Sequence, residues 1–219
     1  QQNITSKKYY IITITLIKRS MSTIILTDYS QYGEQEYILD YFKDDKPNIL
    51  EIGAFNGIDF SNSYALLLNG AKGTFIEADP EIFCRLKENY KNFDVTLICA
   101  AVGFEHGLFK WYSSNGNAVG TTNEAHANTW HELIDFNSKT IISQITIDML
   151  LSRGNDYDMI NIDVEGGSAE LFLSMFHKFP NTKLWCIEHD GKAGEIKLLA
   201  KLANYNVLLQ NDVNIIISK

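Results

Sequence analysis

From Asn48 to the C-terminus, short apolar runs alternate with segments whose apolar residues recur every three to four positions. Short apolar runs bounded by turn residues form buried strands, and the wider spacing marks one buried face of a helix. Strand and helix in alternation leave few solutions. Each helix must carry the chain back to a parallel neighbour, and the resulting sheet is covered on both faces. That order dictates a doubly wound, mostly parallel α/β domain.

The spacing predicts strands over 48–53, 73–78, 94–101, 158–163 and 183–188. It predicts helices over 61–69, stopped by Gly70, and over 80–90, 147–153, 169–178 and 193–204. Pro80 opens its helix at the first turn, where a missing N–H costs nothing. The third strand should continue into a hairpin with Phe109-Lys110-Trp111-Tyr112. The last two runs, 206–209 and 214–218, flank Gln210-Asn211-Asp212, a tight turn that makes an antiparallel pair at the edge of the sheet.

Residues 113–140 break the rhythm with Asn, Ser, Thr and Gly, and they carry Trp130, His126 and His131. A long connection inside a compact domain is usually functional, so this insert is the expected lid or acceptor-recognition element, with Trp111 beside it. The domain is expected over 30–219, preceded by an extension at 1–29. Within the extension, 9–17 is apolar between Lys7-Lys8 and Lys18-Arg19. That is shorter than the about 20 residues a bilayer span takes, and it lacks a small-residue cleavage site. Its alternating Ile and Thr suit an edge strand, and Met21 is a candidate natural start. A cytoplasmic protein with no membrane partner is expected.

A formal net charge of -8 and a pI near 5.1 argue against nucleic acid as partner, because phosphate binding draws on a basic surface. Cys84, Cys99 and Cys186 lack metal-ligand spacing and are expected as reduced core residues.

In open α/β sheets, ligands bind beyond the carboxyl ends of the strands where strand order reverses. The first strand ends in Glu51-Ile52-Gly53-Ala54-Phe55-Asn56-Gly57. Glycines there let the backbone pass close to a ligand, and the helix beginning at Ser61 presents free N–H groups suited to a carboxylate. Glu77 ends the second strand about twenty residues on, where an acidic side chain accepts hydrogen bonds from ribose hydroxyls. Dinucleotide enzymes need G-x-G-x-x-G to admit a pyrophosphate, whereas the spacing here is G-x-x-x-G. A nucleoside bearing an amino-acid carboxylate, S-adenosylmethionine, fits better than NAD. Its expected contacts are Glu51, Gly53, Ala54, Phe55, Asn56, Gly57, Ser61, Glu77, Ala78, Asp79, Ala101 and Asp163.

Several segments together resemble the FkbM-type methyltransferases, a branch of the class I S-adenosylmethionine enzymes. They are Ser30-Gln31-Tyr32-Gly33-Glu34, Glu51-Ile52-Gly53-Ala54, Phe60-Ser61-Asn62-Ser63-Tyr64, Ile76-Glu77-Ala78-Asp79-Pro80, Ile162-Asp163-Val164-Glu165-Gly166 and Cys186-Ile187-Glu188-His189. The resemblance implies a Rossmann-like, seven-stranded sheet with a reversed final strand, and O-methyl transfer to the hydroxyl of a small molecule, sugar or glycan. Two departures stand out. Asn161 occupies a position where members often carry lysine, and Glu165-Gly166-Gly167-Ser168-Ala169-Glu170 displaces a second glutamate, leaving Glu170 as a first-turn helix carboxylate.

A hydroxyl acceptor needs a base, or a metal that lowers its pKa. Asp163 and Glu165 lie two apart on an extended segment and share a face, and Glu188-His189 end the next strand. Asp163 is the expected orienter near the methyl donor, with Glu165 or His189 as general base. A divalent metal among these carboxylates and the histidine is an open alternative. So is a non-catalytic S-adenosylmethionine-binding or scaffold protein of the same fold.

Overall fold

The apolar runs pair as the alternation requires. A computed structural model describes residues 9–12, 24–152 and 156–219. Strands β1 (Tyr9–Ile12) and β2 (Ile24–Thr27) form an antiparallel pair, so part of the N-terminal apolar stretch is indeed strand. Lys7, Lys8, Lys18, Arg19, Met21 and Arg153 lie outside the described residues. Helix α1 (Glu34–Phe42), for which the alternation gave no expectation, buries Ile38 and Phe42 one turn apart.

The domain then runs β3 (Asn48–Ile52), α2 (Tyr64–Leu68), β4 (Lys72–Glu77), α3 (Pro80–Asn89), β5 (Val95–Cys99), β6 (Ala101–Gly103), β7 (Gly107–Ser113), α4 (Glu124–Thr129) and β8 (Asn137–Thr146). It closes with α5 (Ile147–Leu151), β9 (Met159–Ile162), α6 (Ser168–Met175), a 3-10 turn, β10 (Leu184–Glu188), α7 (Ala193–Leu202), β11 (Asn206–Gln210) and β12 (Asn214–Ser218).

The main sheet has the order β11-β12-β10-β9-β3-β4-β5, parallel except for β12. The reversed final strand is therefore present, but it lies between β11 and β10 and leaves β11 as the edge. Sequence explains the placement. Ile215, Ile216 and Ile217 of β12 are fully buried, whereas Val207 and Gln210 of β11 are exposed. Strand alternation splits the core in two. Leu50, Ile52, Ile160 and Ile162 pack on α6 and α7 on one face. Ile49, Phe75, Met159 and Ile216 pack with residues of α1, α2 and α3 on the other.

Three expectations are corrected. The third strand ends at Cys99, and β7 pairs with β8 in a separate three-stranded sheet β6-β8-β7. Residues 113–140 are consequently no continuous loop: they carry α4 and the start of β8, whose backbone groups would otherwise lack partners. Of the free cysteines only Cys186 is buried. Cys99 ends an edge strand and Cys84 lies on α3, so solvent reaches both.

Strand order reverses between β3 and β9, since β4 and β5 extend to one side and β10 to the other. The crevice must lie beyond the carboxyl ends of these strands. Among the described residues, no helix is long and apolar enough to cross a membrane.

Candidate active site

At the end of β3 the backbone turns under tight constraint. Gly53 has φ +87°, and a Cβ placed there would lie 1.6 Å from the carbonyl oxygen of Asp163 at the end of β9. The N–H groups of Gly53 and Ala54 both donate to the Ile76 carbonyl at 2.9 Å, binding the turn to β4. Phe55, also left-handed at φ 49°, aims its N–H at Glu77 Oε2 at 2.9 Å. The other Glu77 oxygen accepts from Asp79 N–H at 2.7 Å. A carboxylate has about four lone-pair sites. Those left on Glu77 serve a cavity of about 260 Å³ that Glu77, Gly53, Ala54, Phe55, Ala101 and Asp163 line. Burial pushes the Glu77 carboxyl up to about 7, against the hydrogen bonds from Asp79 and Phe55.

Glu51, Ser61 and Ala78 also line the cavity. Asn56, Gly57 and Asp79 do not. Asn56 Oδ1 closes its own turn by accepting from Ile58 and Asp59 N–H, each at 2.9 Å. A Cβ on Gly57 would stand 2.5 Å from the ring of Tyr90, whose hydroxyl donates to the Gly57 carbonyl at 2.7 Å. That glycine makes room for a core tyrosine. Asp79 caps α3 with one oxygen, and its other accepts from Trp111 Nε1 and Ser113 Oγ at 2.9 Å each. Trp111 is thereby a buried wall of the cavity, with its polar edge already occupied.

Beneath the turn, Glu51 accepts from Ser63 Oγ and, at 3.3 Å, from Asn161 Nδ2, while Asn62 Nδ2 donates to Asn161 Oδ1 at 3.1 Å. Burial raises the Glu51 carboxyl from 4.5 to about 7, and these neutral donors only partly oppose it. Where the resemblance leads one to expect a lysine, Asn161 offers no charge. The folded state therefore holds a proton that the unfolded chain releases at lower pH. Stability from this group is complete below about 4.5 and falls as pH rises through about 7. Between pH 5 and 8 the protein should lose more stability than Glu51→Gln does, by up to roughly 3 kcal/mol at about 1.36 kcal/mol per tenfold change in proton affinity. Urea unfolding at the two pH values measures this. Equal losses would mean Glu51 is ionised in the folded protein.

Asp163 and Glu165, at the end of β9, meet Glu188 at the end of β10, each offering an oxygen within 4.8 Å of the others. Oxygens that close suit a shared proton or a hard cation. Asp163 titrates well above the ordinary carboxylate range, because it is desolvated and then because Glu188 and Glu165 repel a further charge. Burial likewise lifts Glu188 to about 7. Ser168 Oγ donates to Glu188 at 2.9 Å and fixes it.

The structure does not bring His189 into this group. Its Nδ1 accepts from Gly191 N–H and its Nε2 bonds the Asn211 carbonyl, both at 3.1 Å, so both ring nitrogens are spent on backbone. Glu170 ion-pairs with Lys192 outside the cavity. The histidine that does arrive is His126, from α4 in the insert, with Nε2 3.0 Å from Glu165 Oε2. The sequence puts His126 in the insert and gives no link to Glu165, which is 39 residues away. The link is tertiary, and spacing along the chain carries no trace of it.

A crevice at the switch point, a glycine turn pressed on the neighbouring strand, and an acidic residue ending the next strand are the parts of a nucleoside-binding doubly wound α/β domain, and the family match makes it a class I S-adenosylmethionine-dependent methyltransferase. The chain belongs to the FkbM methyltransferase domain family, whose model matches residues 51–206. No curated protein matches the sequence. Among solved structures it is similar to a precorrin-6y C5,15-methyltransferase from Geobacter metallireducens GS-15, at 14% identity and TM-score 0.47 over 84% of this chain and 86% of that one. It is also similar to the S-adenosylhomocysteine-bound methyltransferase PaMTH1 of Podospora anserina, at 16% identity and TM-score 0.46 over 86% and 79%. A third is a SAM-dependent methyltransferase from Agrobacterium tumefaciens, at 11% identity and TM-score 0.46 over 99% and 71%. The residues present fit S-adenosylmethionine: the unspent lone pairs of Glu77 match ribose hydroxyls, and the carboxylates around the cavity suit a positively charged sulfur.

Proposed function

We propose that the enzyme methylates a hydroxyl oxygen of a small molecule, sugar or glycan, with Glu165 as general base and Asp163 as orienter. The observation that carries this reading is the Glu165 carboxylate, which lines the cavity and is held by His126 at 3.0 Å. When bound, S-adenosylmethionine supplies a methyl group already activated on a sulfonium. What remains for the chain is alignment and proton removal. Glu77 takes the ribose hydroxyls. Asp163, held above the ordinary carboxylate range by burial and by Glu188, orients groups near the transferred methyl. Glu165 accepts the acceptor's hydroxyl proton as the new C–O bond forms.

The surroundings favour an uncharged acceptor. The Glu165 carboxylate, lining the crevice beside Asp163, repels phosphate, in line with the net charge of -8. Phe60 and Phe104 line the cavity with 43% and 65% of their surfaces exposed, giving apolar faces on which a sugar ring or phenol packs. Transfer of a radiolabelled methyl group should be measured across methyl glycosides, phenols, amines, thiols and short RNA. Label is expected on the glycosides or phenols. Label confined to RNA, amines or thiols would overturn the proposal.

A further inference from the structure

The insert is fastened to the turn that follows β9 by a contact that no motif announces. Thr121 Oγ1 donates to the Glu165 carbonyl at 3.0 Å, and Asn123 Nδ2 to the Gly166 carbonyl at 3.3 Å. His126 Nε2 reaches the Glu165 carboxylate at 3.0 Å. The imidazole also fills a slot made by the absence of a side chain. A Cβ on Gly166 would stand 2.5 Å from His126 Nδ1 and 2.6 Å from Cγ, and Gly166 has φ +85°. The glycine of the Asp-Val-Glu-Gly run thus serves both the turn and the seat of the ring.

At its root the insert is anchored differently, through Trp111 and Ser113 on the buried Asp79 carboxylate and through the buried Thr121, paired with Tyr112 by two backbone hydrogen bonds. Between root and tip, Ala118, Gly120, Thr121, Thr122 and Asn123 line the cavity. Little core holds this tip: within α4 only Ala127 is buried, and Leu133 beyond it is 80% exposed. A segment held by a few partly solvated hydrogen bonds opens at lower cost than one held by a core. Both partners of the His126–Glu165 pair are 18% exposed, so water competes for them. The imidazole is held above its ordinary pKa chiefly by that bond, with the charges of Glu165, Glu188 and Asp190 acting in the same direction. The charged form therefore strengthens the fastening.

We infer that His126 is the latch of a lid: the insert between β7 and β8 moves on its Asp79-anchored root, and the His126–Glu165 pair in the Gly166 slot holds it shut over the cofactor. The inference uses the cofactor site and is independent of the acceptor class proposed above.

Dissociation of S-adenosylhomocysteine from the full chain, followed by stopped flow, tests it. His126→Ala and Glu165→Ala should each speed release about tenfold, the lower range for a hydrogen bond to a charged group. The double variant should release no faster than the faster single one, because both lose the same contact. His126→Gln and Glu165→Gln each keep a donor facing an acceptor, and both should stay within about threefold of the parent. Release within twofold of the parent in His126→Ala would overturn the latch, as would a double variant whose effect is the product of the two singles. If His126→Ala lowers the melting temperature sharply, His126→Gln still decides: a tenfold faster release there also overturns it. Because Glu165→Gln keeps the latch but removes the base, failure here is separable from failure of the base assignment.

Discussion

Replacing Gly53 by alanine is expected to destabilise the protein by about 2–5 kcal/mol and to abolish S-adenosylhomocysteine binding. Two costs combine. An L-residue at φ +87° adopts a left-handed backbone at about 1–2 kcal/mol, and the new Cβ would sit 1.6 Å from the Asp163 carbonyl oxygen. That oxygen has little freedom to retreat, because Asp163 N–H is itself bonded to the Ile52 carbonyl at 2.9 Å and β3 and β9 are in register through Ile52 and Ile162. Forcing apart such packed elements adds about 1–3 kcal/mol. For a domain of this size the sum corresponds to a melting temperature lower by about 10 °C. Gly167→Ala is the matched control from the same pocket. Its φ of -160° lies outside the left-handed region, and the nearest atom to an added Cβ is 3.8 Å away. Thermal unfolding should separate the two variants clearly. A melting temperature for Gly53→Ala within 2 °C of the control would mean that the two strand ends are not pressed together.

The contrast between Gly53 and His126 shows what a sequence of this kind discloses. Gly53 and Glu77 lie at the ends of neighbouring strands, in positions that the alternation of strands and helices already sets. Once the order of elements is read, their place at the switch point follows from topology alone. The same holds for β9 and β10, whose pairing brings Asp163, Glu165 and Glu188 together. Strand neighbours are legible because apolar runs and turns leave few ways to wind the sheet.

What escaped the sequence depends on which polar partner each side chain finds. Asp79 follows a strand end as a cofactor residue would, yet helix capping and two donors from β7 consume its oxygens. His189 sits beside Glu188 in the chain, but consecutive residues at a strand end point to opposite faces, so only Glu188 meets Asp163. The His189 ring turns instead to the β11–β12 turn. Gly57 looked like a ligand-facing glycine and proves to seat Tyr90. His126 reaches Glu165 only because β7 and β8 pair and aim the insert back across the crevice, a long-range pairing between residues 107 and 144 that no local pattern encodes.

Converting Glu165 to glutamine should lower methyl transfer by about 100-fold or more while leaving S-adenosylhomocysteine affinity close to that of the parent. A positioned general base contributes about 10²–10⁴ in rate, and glutamine cannot take the proton. Its amide oxygen still accepts from His126, so the turn, the insert and the cavity wall keep their geometry, and Glu77 on β4 is untouched. The effect should therefore fall on the rate constant for transfer and not on cofactor binding. His189→Gln supplies the comparison, since both nitrogens of that ring are engaged by backbone atoms and it does not line the cavity. Removing it should cost some stability at the β11–β12 turn and little rate. Single-turnover transfer to the best acceptor of the panel, beside calorimetry with S-adenosylhomocysteine, separates the two residues. An unimpaired Glu165→Gln together with a slow His189→Gln would reverse the assignment. If both variants retain the parental rate, the proton leaves through the Asp163–Glu188 pair, where burial already holds a carboxyl near neutrality.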